Sequence, residues 1–244
     1  MTRIAVINPN TTATMTATIA HAARLVAGAG TEIVAMTSSM GPVSIEGYYD
    51  EAFALPGLLR EIGLAEGQGM QAAVIACFDD TGLDAARAMV RMPVLGICEA
   101  AMVTASFLAK RFTVVTTMER SRVPIEELAH RYGMTGRARI RAANIAVLSL
   151  DDPNSGARDR LRSEISRAIA EDNAEAIVLG CAGMADLAHT LSLEFGLPVI
   201  DGVGAAVKQA EALVALNLST SKRGAYAAPI AKAYGGQLAA FAPT

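Results

Sequence analysis

Residues 72 to 80 read AAVIACFDD, and residues 176 to 184 read AIVLGCAGM. Each is an apolar run that brings one cysteine to its end. A strand with one wet face alternates polar and apolar residues, whereas a run without alternation belongs to a parallel sheet covered on both faces. These two stretches therefore point to an α/β fold, and the rest of the chain repeats the same pattern.

Outward from them, RIAVI (3 to 7), TEIVAMT (31 to 37) and MPVLGI (92 to 97) read as further buried strands in the first half. In the second half RFTVVTT (111 to 117), a strand within RIRAANIAVL (139 to 148) and LPVID (197 to 201) do the same. Helical patterns separate them. One runs from Asn10 to about Ala27, with Thr11 or Thr12 near its cap and Gly28 past its end. Another spans 48 to 66 with a break expected at Pro56-Gly57, and others fall near 81 to 90, 119 to 132 and 156 to 171. The Ala-rich tail shows little pattern. Strands alternating with helices predict parallel sheets flanked by helices.

The two halves resemble each other. Arg3-Ile4-Ala5-Val6 aligns with Arg111-Phe112-Thr113-Val114, and Val74-Ile75-Ala76-Cys77 with Val178-Leu179-Gly180-Cys181. Pro93-Val94 and Ala100-Ala101 align with Pro198-Val199 and Ala205-Ala206. The displacement stays near 105 residues throughout, as expected of a duplicated α/β unit. Two of the three cysteines then occupy one structural position.

Composition narrows the chemistry. The chain has 244 residues and a formal charge of -3, with no basic cluster interleaved with aromatics, so a nucleic-acid partner is not expected. No stretch reaches the roughly 18 apolar residues of a membrane span, and MTRIAVINPN is too short an apolar run for a signal peptide. A cytoplasmic location is expected. The odd set Cys77, Cys98 and Cys181 favours thiols over bridges, and the lack of C-x-x-C spacing argues against structural zinc.

In parallel α/β sheets ligands bind beyond the carboxyl ends of the strands, where Cys77 and Cys181 both fall. If the halves face each other about a pseudo-twofold axis, the two thiols approach one ligand from opposite sides. Such a pair of acid/base groups suits inversion of a stereocentre, one removing a proton and the other returning it to the far face. A thiol of ordinary pKa roughly 8.5, lowered at a helix amino end, offers both protonation states near neutrality. Cys98, whose counterpart is Val203 or Gly202, reads as a small buried hydrophobe.

The segments INPNTT (7 to 12), GPVSIEGYYD (41 to 50), ACFDDTGLD (76 to 84) and LGCAGM (179 to 184), in this order, resemble the hydantoin racemase branch of the aspartate/glutamate racemase superfamily. The resemblance implies two pseudo-symmetric flavodoxin-like lobes with the active site in the cleft between them. It implies no cofactor, no metal, and Cys77 and Cys181 as the acid/base pair. It also implies that the final helical region crosses back, giving residues 1–98 plus 202–244 as one lobe and 99–201 as the other. Glutamate racemases typically follow their cysteines with Asn-Thr and Thr-His; here Phe78-Asp79 and Ala182-Gly183 follow, which suits a neutral cyclic imide better than a zwitterion.

Around such a small-molecule substrate, Asn10, Thr117 and backbone amides at Asp79 and Gly183 are candidate partners. Thr116 ends the same strand as Thr117, and Ile45 belongs to a loop able to close over the ligand; Glu46 in that loop reads as solvated. Phe78 either walls the pocket or packs in the core. Asp79 and Asp80 can keep Cys77 protonated while Cys181 ionises, or cap the helix beginning near Thr81. His21, His130 and His189 fall in helical patterns, where a surface position is the default. The rival readings are a thiol hydrolase, a non-catalytic two-lobed binder, and relatives such as allantoin racemases, amino-acid racemases, maleate isomerases and arylmalonate decarboxylases. Association into a homo-oligomer is expected.

Overall fold

The computed structural model describes residues 1–152 and 154–243. Eight strands alternate with helices among them: β1 (Thr2–Asn8), α1 (Ala13–Val26), β2 (Thr31–Thr37), α2 (Tyr48–Gly67), β3 (Ala72–Ile75), α3 (Leu83–Met89), β4 (Val94–Gly96) and α4 (Ile97–Leu108). The second half repeats the order with β5 (Phe112–Thr116), α5 (Arg122–Arg131), β6 (Ala138–Ala142), α6 (Ala157–Asp172), β7 (Ala176–Gly180), α7 (Ala188–Phe195), β8 (Val199–Asp201) and α8 (Gly202–Ala215). The first four strands form one sheet in the order β2-β1-β3-β4 and the last four another in the order β6-β5-β7-β8, every pairing parallel. That is the order of a doubly wound sheet. The duplication extends to register: Ile4 pairs with Ala72 in the first sheet, and their counterparts Phe112 and Ala176 pair in the second.

The two sheets share their largest core. Ile4, Val6 and Val74 from one half and Phe112, Val114 and Val178 from the other belong to a single buried cluster, to which α4 and α8 add Ile97, Val203 and Val207. Smaller cores fill the outer faces, under α2 and α3 on one side and under α6 and α7 on the other. Each fourth helix makes contact beyond its own sheet: α4 packs on β7, α8 on β3 and β4, and the two on each other. Their amino ends touch. A side chain at Gly202 would place Cβ 2.5 Å from the carbonyl oxygen of Ile97, so glycine is required where the helices cross.

Among the boundaries that differ from the sequence expectation, four bear on the core and the site. Helix α1 starts at Ala13 rather than Asn10, because Asn8 and Asn10 turn the chain first: Asn8 Oδ1 accepts from the Asn10 amide and Asn10 Oδ1 from the Thr12 amide. Helix α2 continues through Pro56-Gly57. Gly57 serves close packing there, since a Cβ would fall 2.1 Å from Ser38 Oγ and 2.3 Å from the Met40 carbonyl oxygen. Strand β3 ends at Ile75, two residues before the cysteine, and β4 ends at Gly96, so Ile97 opens a helix instead of closing a strand. The tail forms two short 3-10 turns, Gly224–Tyr226 and Gly236–Phe241, and Thr220 anchors it to the carbonyls of Arg91 and Met92.

Candidate active site

The carboxyl ends of β1, β3, β5 and β7 converge on one cleft with about 430 Å³ of space free of protein atoms, counting its open mouth. Cys77 and Cys181 both line it. Each leaves the end of a central strand two residues or less beyond the last paired position, and each is part-buried, whereas Cys98 is fully buried in the shared core. Among the described residues the cysteines form no disulfide. The sulfurs lie near enough that Cys181 raises the pKa of Cys77 through its charge.

The sequence candidates Asn10, Ile45, Phe78, Asp79, Thr116, Thr117 and Ala182 line the same cleft. Gly183 does not. Cys181 remains extended at φ -157° and ψ 137°, the chain then enters the 3-10 turn Ala182–Leu187, and Met184 donates back to the Cys181 carbonyl, drawing Gly183 into the interior. Met15, Ala76, Ser121, Val147 and Gly180 complete the lining and were not singled out from the sequence. Met15 had a usable signal, since it lies in the first turn of the helix that follows the first strand.

Local bonds fix the polar groups. Asn8 is fully buried and donates to Asn10 Oδ1 at 2.8 Å and to Thr16 Oγ1 at 3.0 Å, so it orients Asn10 instead of lining the cleft. With its oxygen occupied by Asn8 and Thr12, Asn10 presents its amide nitrogen, 3.1 Å from Met15 Sδ. Thr116 Oγ1 donates to the Gly180 carbonyl at 3.1 Å. Gly180 permits this approach, because a Cβ would lie 2.9 Å from Thr116 Cα.

The roof comes from the segment before α2. Thr11 donates through its amide to the Pro42 carbonyl at 3.0 Å, and Thr12 Oγ1 donates to Val43 at 2.7 Å. These bonds hold Ile45 over the cleft, 8% exposed. Glu46 is half-buried rather than fully solvated, its amide donating to Asp50 Oδ2 at 3.0 Å. Helix α5 and the residue that ends it tie the halves together: Tyr48 donates to Glu127 at 2.9 Å, and Tyr132 to Asp80 at 2.6 Å.

Charge distinguishes the two cysteines. Burial first, then the Asp79 carboxylate, pushes the Cys77 thiol well above its ordinary range; the Asp79 amide and the Thr81 hydroxyl oppose this. Burial, with Glu51 and Asp80 nearby, raises Asp79 itself to about 7. Around Cys181 the corresponding neighbours are Ala182, Gly183 and Met184, none of them ionisable. Asp80 takes a role not foreseen: it caps α4 rather than the helix after Thr81, accepting from the Cys98 and Glu99 amides at 2.9 Å each. Burial raises it to about 7 against the bonds from Tyr132, Cys98 and Glu99. Among the described residues no three His, Cys, Asp or Glu side chains converge as a metal site, and no helix is long and apolar enough to cross a membrane.

Comparison with known proteins gives this geometry its family. The model of the Asp/Glu/Hydantoin racemase family matches residues 4–210. The chain belongs to that family. It is 50% identical over 241 residues to the hydantoin racemase of Pseudomonas sp. (strain NS671), covering 98% of this chain and 96% of the relative. It is likewise 50% identical over 234 residues to the hydantoin racemase of Rhizobium meliloti, covering 96% and 97%. Among solved structures, the allantoin racemase from Klebsiella pneumoniae superposes with a TM-score of 0.97 at 47% identity, with both chains covered in full. Membership makes the protein an isomerase, and the two-sheet architecture is that of the racemase fold.

Proposed function

We propose that this member of the racemase family inverts C5 of 5-monosubstituted hydantoins without a cofactor, by proton transfer between Cys77 and Cys181. The observation that carries the reading is the presence of both thiols, from equivalent strand ends of the two halves, on one cleft. Cys77, under the Asp79 charge, is assigned as the resting acid, and Cys181 as the resting thiolate. The Cys181 thiolate takes the C5 proton, the C–H electron pair moves onto the adjacent ring carbonyl as an enolate, and the Cys77 thiol protonates C5 on the opposite face. The enzyme is left with Cys77 as thiolate and Cys181 as thiol, ready for the reverse reaction or for proton exchange with solvent.

The enolate oxygen carries the developing charge, so fixed donors there lower the barrier more than they favour the ground state. The Asp79 backbone amide, the Asn10 amide nitrogen and the Thr117 hydroxyl are the donors we assign. Neutral ring carbonyls and N–H groups match this lining, which offers no cationic side chain for a carboxylate. The cysteines belong to two lobes, 1–98 plus 202–244 and 99–201. Packing of α8 on β3 and β4, and of α4 on β7, supports that division.

A second reading, supported by the full-length likeness to an allantoin racemase, is that the C5 substituent is a ureido group. A thiol hydrolase is disfavoured: His21, His130 and His189 are all exposed and none lines the cleft. The test is incubation of enantiopure 5-benzylhydantoin, 5-isobutylhydantoin and allantoin in heavy water with no added cofactor, following optical rotation and deuterium at C5 together. Loss of rotation with one deuterium gained per inversion supports the proposal, and the fastest substrate separates the two readings. Racemisation of free glutamate or aspartate with all three ring compounds untouched refutes both.

A further inference from the structure

Beyond Cys77 the chain makes an unusual double reversal. The Asp80 amide donates to the Cys77 carbonyl at 3.1 Å and the Leu83 amide to the Asp80 carbonyl at 3.1 Å, while Asp80 and Gly82 both adopt left-handed backbone, at φ +46° and +67°. Left-handed backbone is unfavourable for a residue bearing a Cβ, and persists where surrounding contacts hold it. The bonds from Cys98, Glu99 and Tyr132 to the Asp80 carboxylate do so here. Gly82 is pressed from behind, since a Cβ would lie 2.7 Å from a Leu55 methyl.

Thr81 sits between these two residues, 2% exposed. Its Oγ1 is buried and has no hydrogen-bond partner in this structure, a state that folded proteins avoid. Thr81 belongs to the double reversal in which the Asp80 amide closes on the Cys77 carbonyl, and the Cys77 thiol is a group whose ionisation the hydroxyl favours. The repeat makes the point sharper. The position equivalent to Thr81 in the second half is Ala185, just as Gly183 stands opposite Asp79. The turn after Cys77 therefore carries a carboxylate that opposes its ionisation and a hydroxyl that assists it, at positions where the turn after Cys181 carries glycine and alanine.

We propose that Thr81 is a positioning residue for Cys77, its unpartnered buried hydroxyl donating to the sulfur when that becomes the thiolate. The inference deepens the two-cysteine reading and rests on it. Cys77 must carry negative charge whenever it is the base, and Asp79 makes that state costly. Thr81 offsets the cost without touching the substrate, because it is not part of the cleft lining. The other ionisable neighbours of Cys77 are Asp79, Cys98 and Cys181.

The experiment uses Thr81→Val and Thr81→Ser in two backgrounds, Cys181→Ser and Cys77→Ser. In the first, the pH dependence of Cys77 alkylation by iodoacetamide, mapped by peptide mass, reads its thiolate directly. Thr81→Val is expected to raise that pKa by about one unit, a tenfold loss of thiolate at fixed pH, and Thr81→Ser to restore it. Deuterium exchange at C5 of 5-benzylhydantoin is expected to fall about tenfold through Cys77 and far less through Cys181. An unchanged alkylation profile, or equal loss in both backgrounds, overturns the proposal. Should Cys77→Ser and Cys181→Ser each still racemise the substrate, the two-cysteine reading fails by itself, while the alkylation profile still decides whether Thr81 assists the Cys77 thiolate.

Discussion

Asp80 and Gly96 occupy the same space in a way that leaves no room for substitution: a Cβ on Gly96 would lie 2.2 Å from Asp80 Oδ1. The carboxylate cannot withdraw, because it is the cap of α4 and the acceptor for Tyr132 from the other half. Gly96→Ala is expected to lower unfolding free energy by about 1–3 kcal/mol through overpacking. Asp80→Ala strips two helix-end amides and a buried hydroxyl of their partner, and is expected to lower it by about 2–4 kcal/mol. Urea denaturation followed by circular dichroism measures both. A loss below about half a kcal/mol in either would be an ordinary surface effect and would contradict the contact.

Asp79 gives a pH signature. Its folded pKa is raised from 3.8 to about 7, so between those values the folded chain holds a proton that the unfolded chain has released. Stability attributable to this group therefore falls as pH rises from about 4 to about 7, and the penalty is complete above that. Asp79→Asn removes the ionisation. The variant is expected to gain melting temperature relative to wild type at pH 8 and to show little gain at pH 4. Removing the charge also lowers the Cys77 pKa, so iodoacetamide alkylation of Cys77 should begin at lower pH. Parallel melting curves at both pH values would show that Asp79 is not held near neutrality.

The strands and the duplication were readable because a strand covered on both faces leaves an unbroken apolar run, and the same run ending in cysteine occurs twice. The cleft lining was readable in proportion to its place at strand ends: Asn10, Thr116, Thr117 and Ala182 follow from that rule, whereas Ser121 and Val147 reach the cleft from turns whose positions depend on tertiary packing. Other features depend on residues distant in the chain. Ile97 opens a helix because Asp80 caps it from 17 residues earlier, and Gly57 sits inside a helix because Ser38 and Met40 press on it. A local pattern contains neither partner, so it reads Gly96-Ile97 as strand and Pro56-Gly57 as a break.

Gly202 tests the crossing of the two halves. Its hydrogen faces the Ile97 carbonyl at a helix start equivalent to its own, and an added methyl would also lie 2.8 Å from Ile97 Cβ. Gly202→Ala is expected to cost about 1–3 kcal/mol and to push α4 and α8 apart. Since α8 packs on β3 and α4 on β7, the strands that lead to the two cysteines, racemase activity should fall more than stability alone explains. Activity measured at a temperature where both proteins are fully folded separates the two effects, and unchanged activity there would show that the crossing does not set the spacing of the cysteines.

The outer face of the second half adds a charged cluster to its apolar core. Arg141 bridges Asp172 at 2.6 Å, Glu171 at 2.8 Å and Glu164 at 3.1 Å, and Thr113 donates to Asp172 at 3.0 Å. The Arg141 hydrogen bond first of all, with Thr113 and neighbouring positive charge, holds the Asp172 carboxyl below its ordinary value of 3.8. A depressed carboxylate contributes stability that is present above the unfolded pKa and is lost as pH falls through the folded one. Arg141→Met is expected to cost about 1–3 kcal/mol at pH 7, since it leaves part-buried carboxylates without their partner. Below about pH 4 the wild-type advantage should shrink as the carboxyls take up protons. Denaturation midpoints of the two proteins at pH 7 and pH 3 measure this, and a gap of equal size at both would show that Arg141 acts through packing of its aliphatic stem rather than through charge.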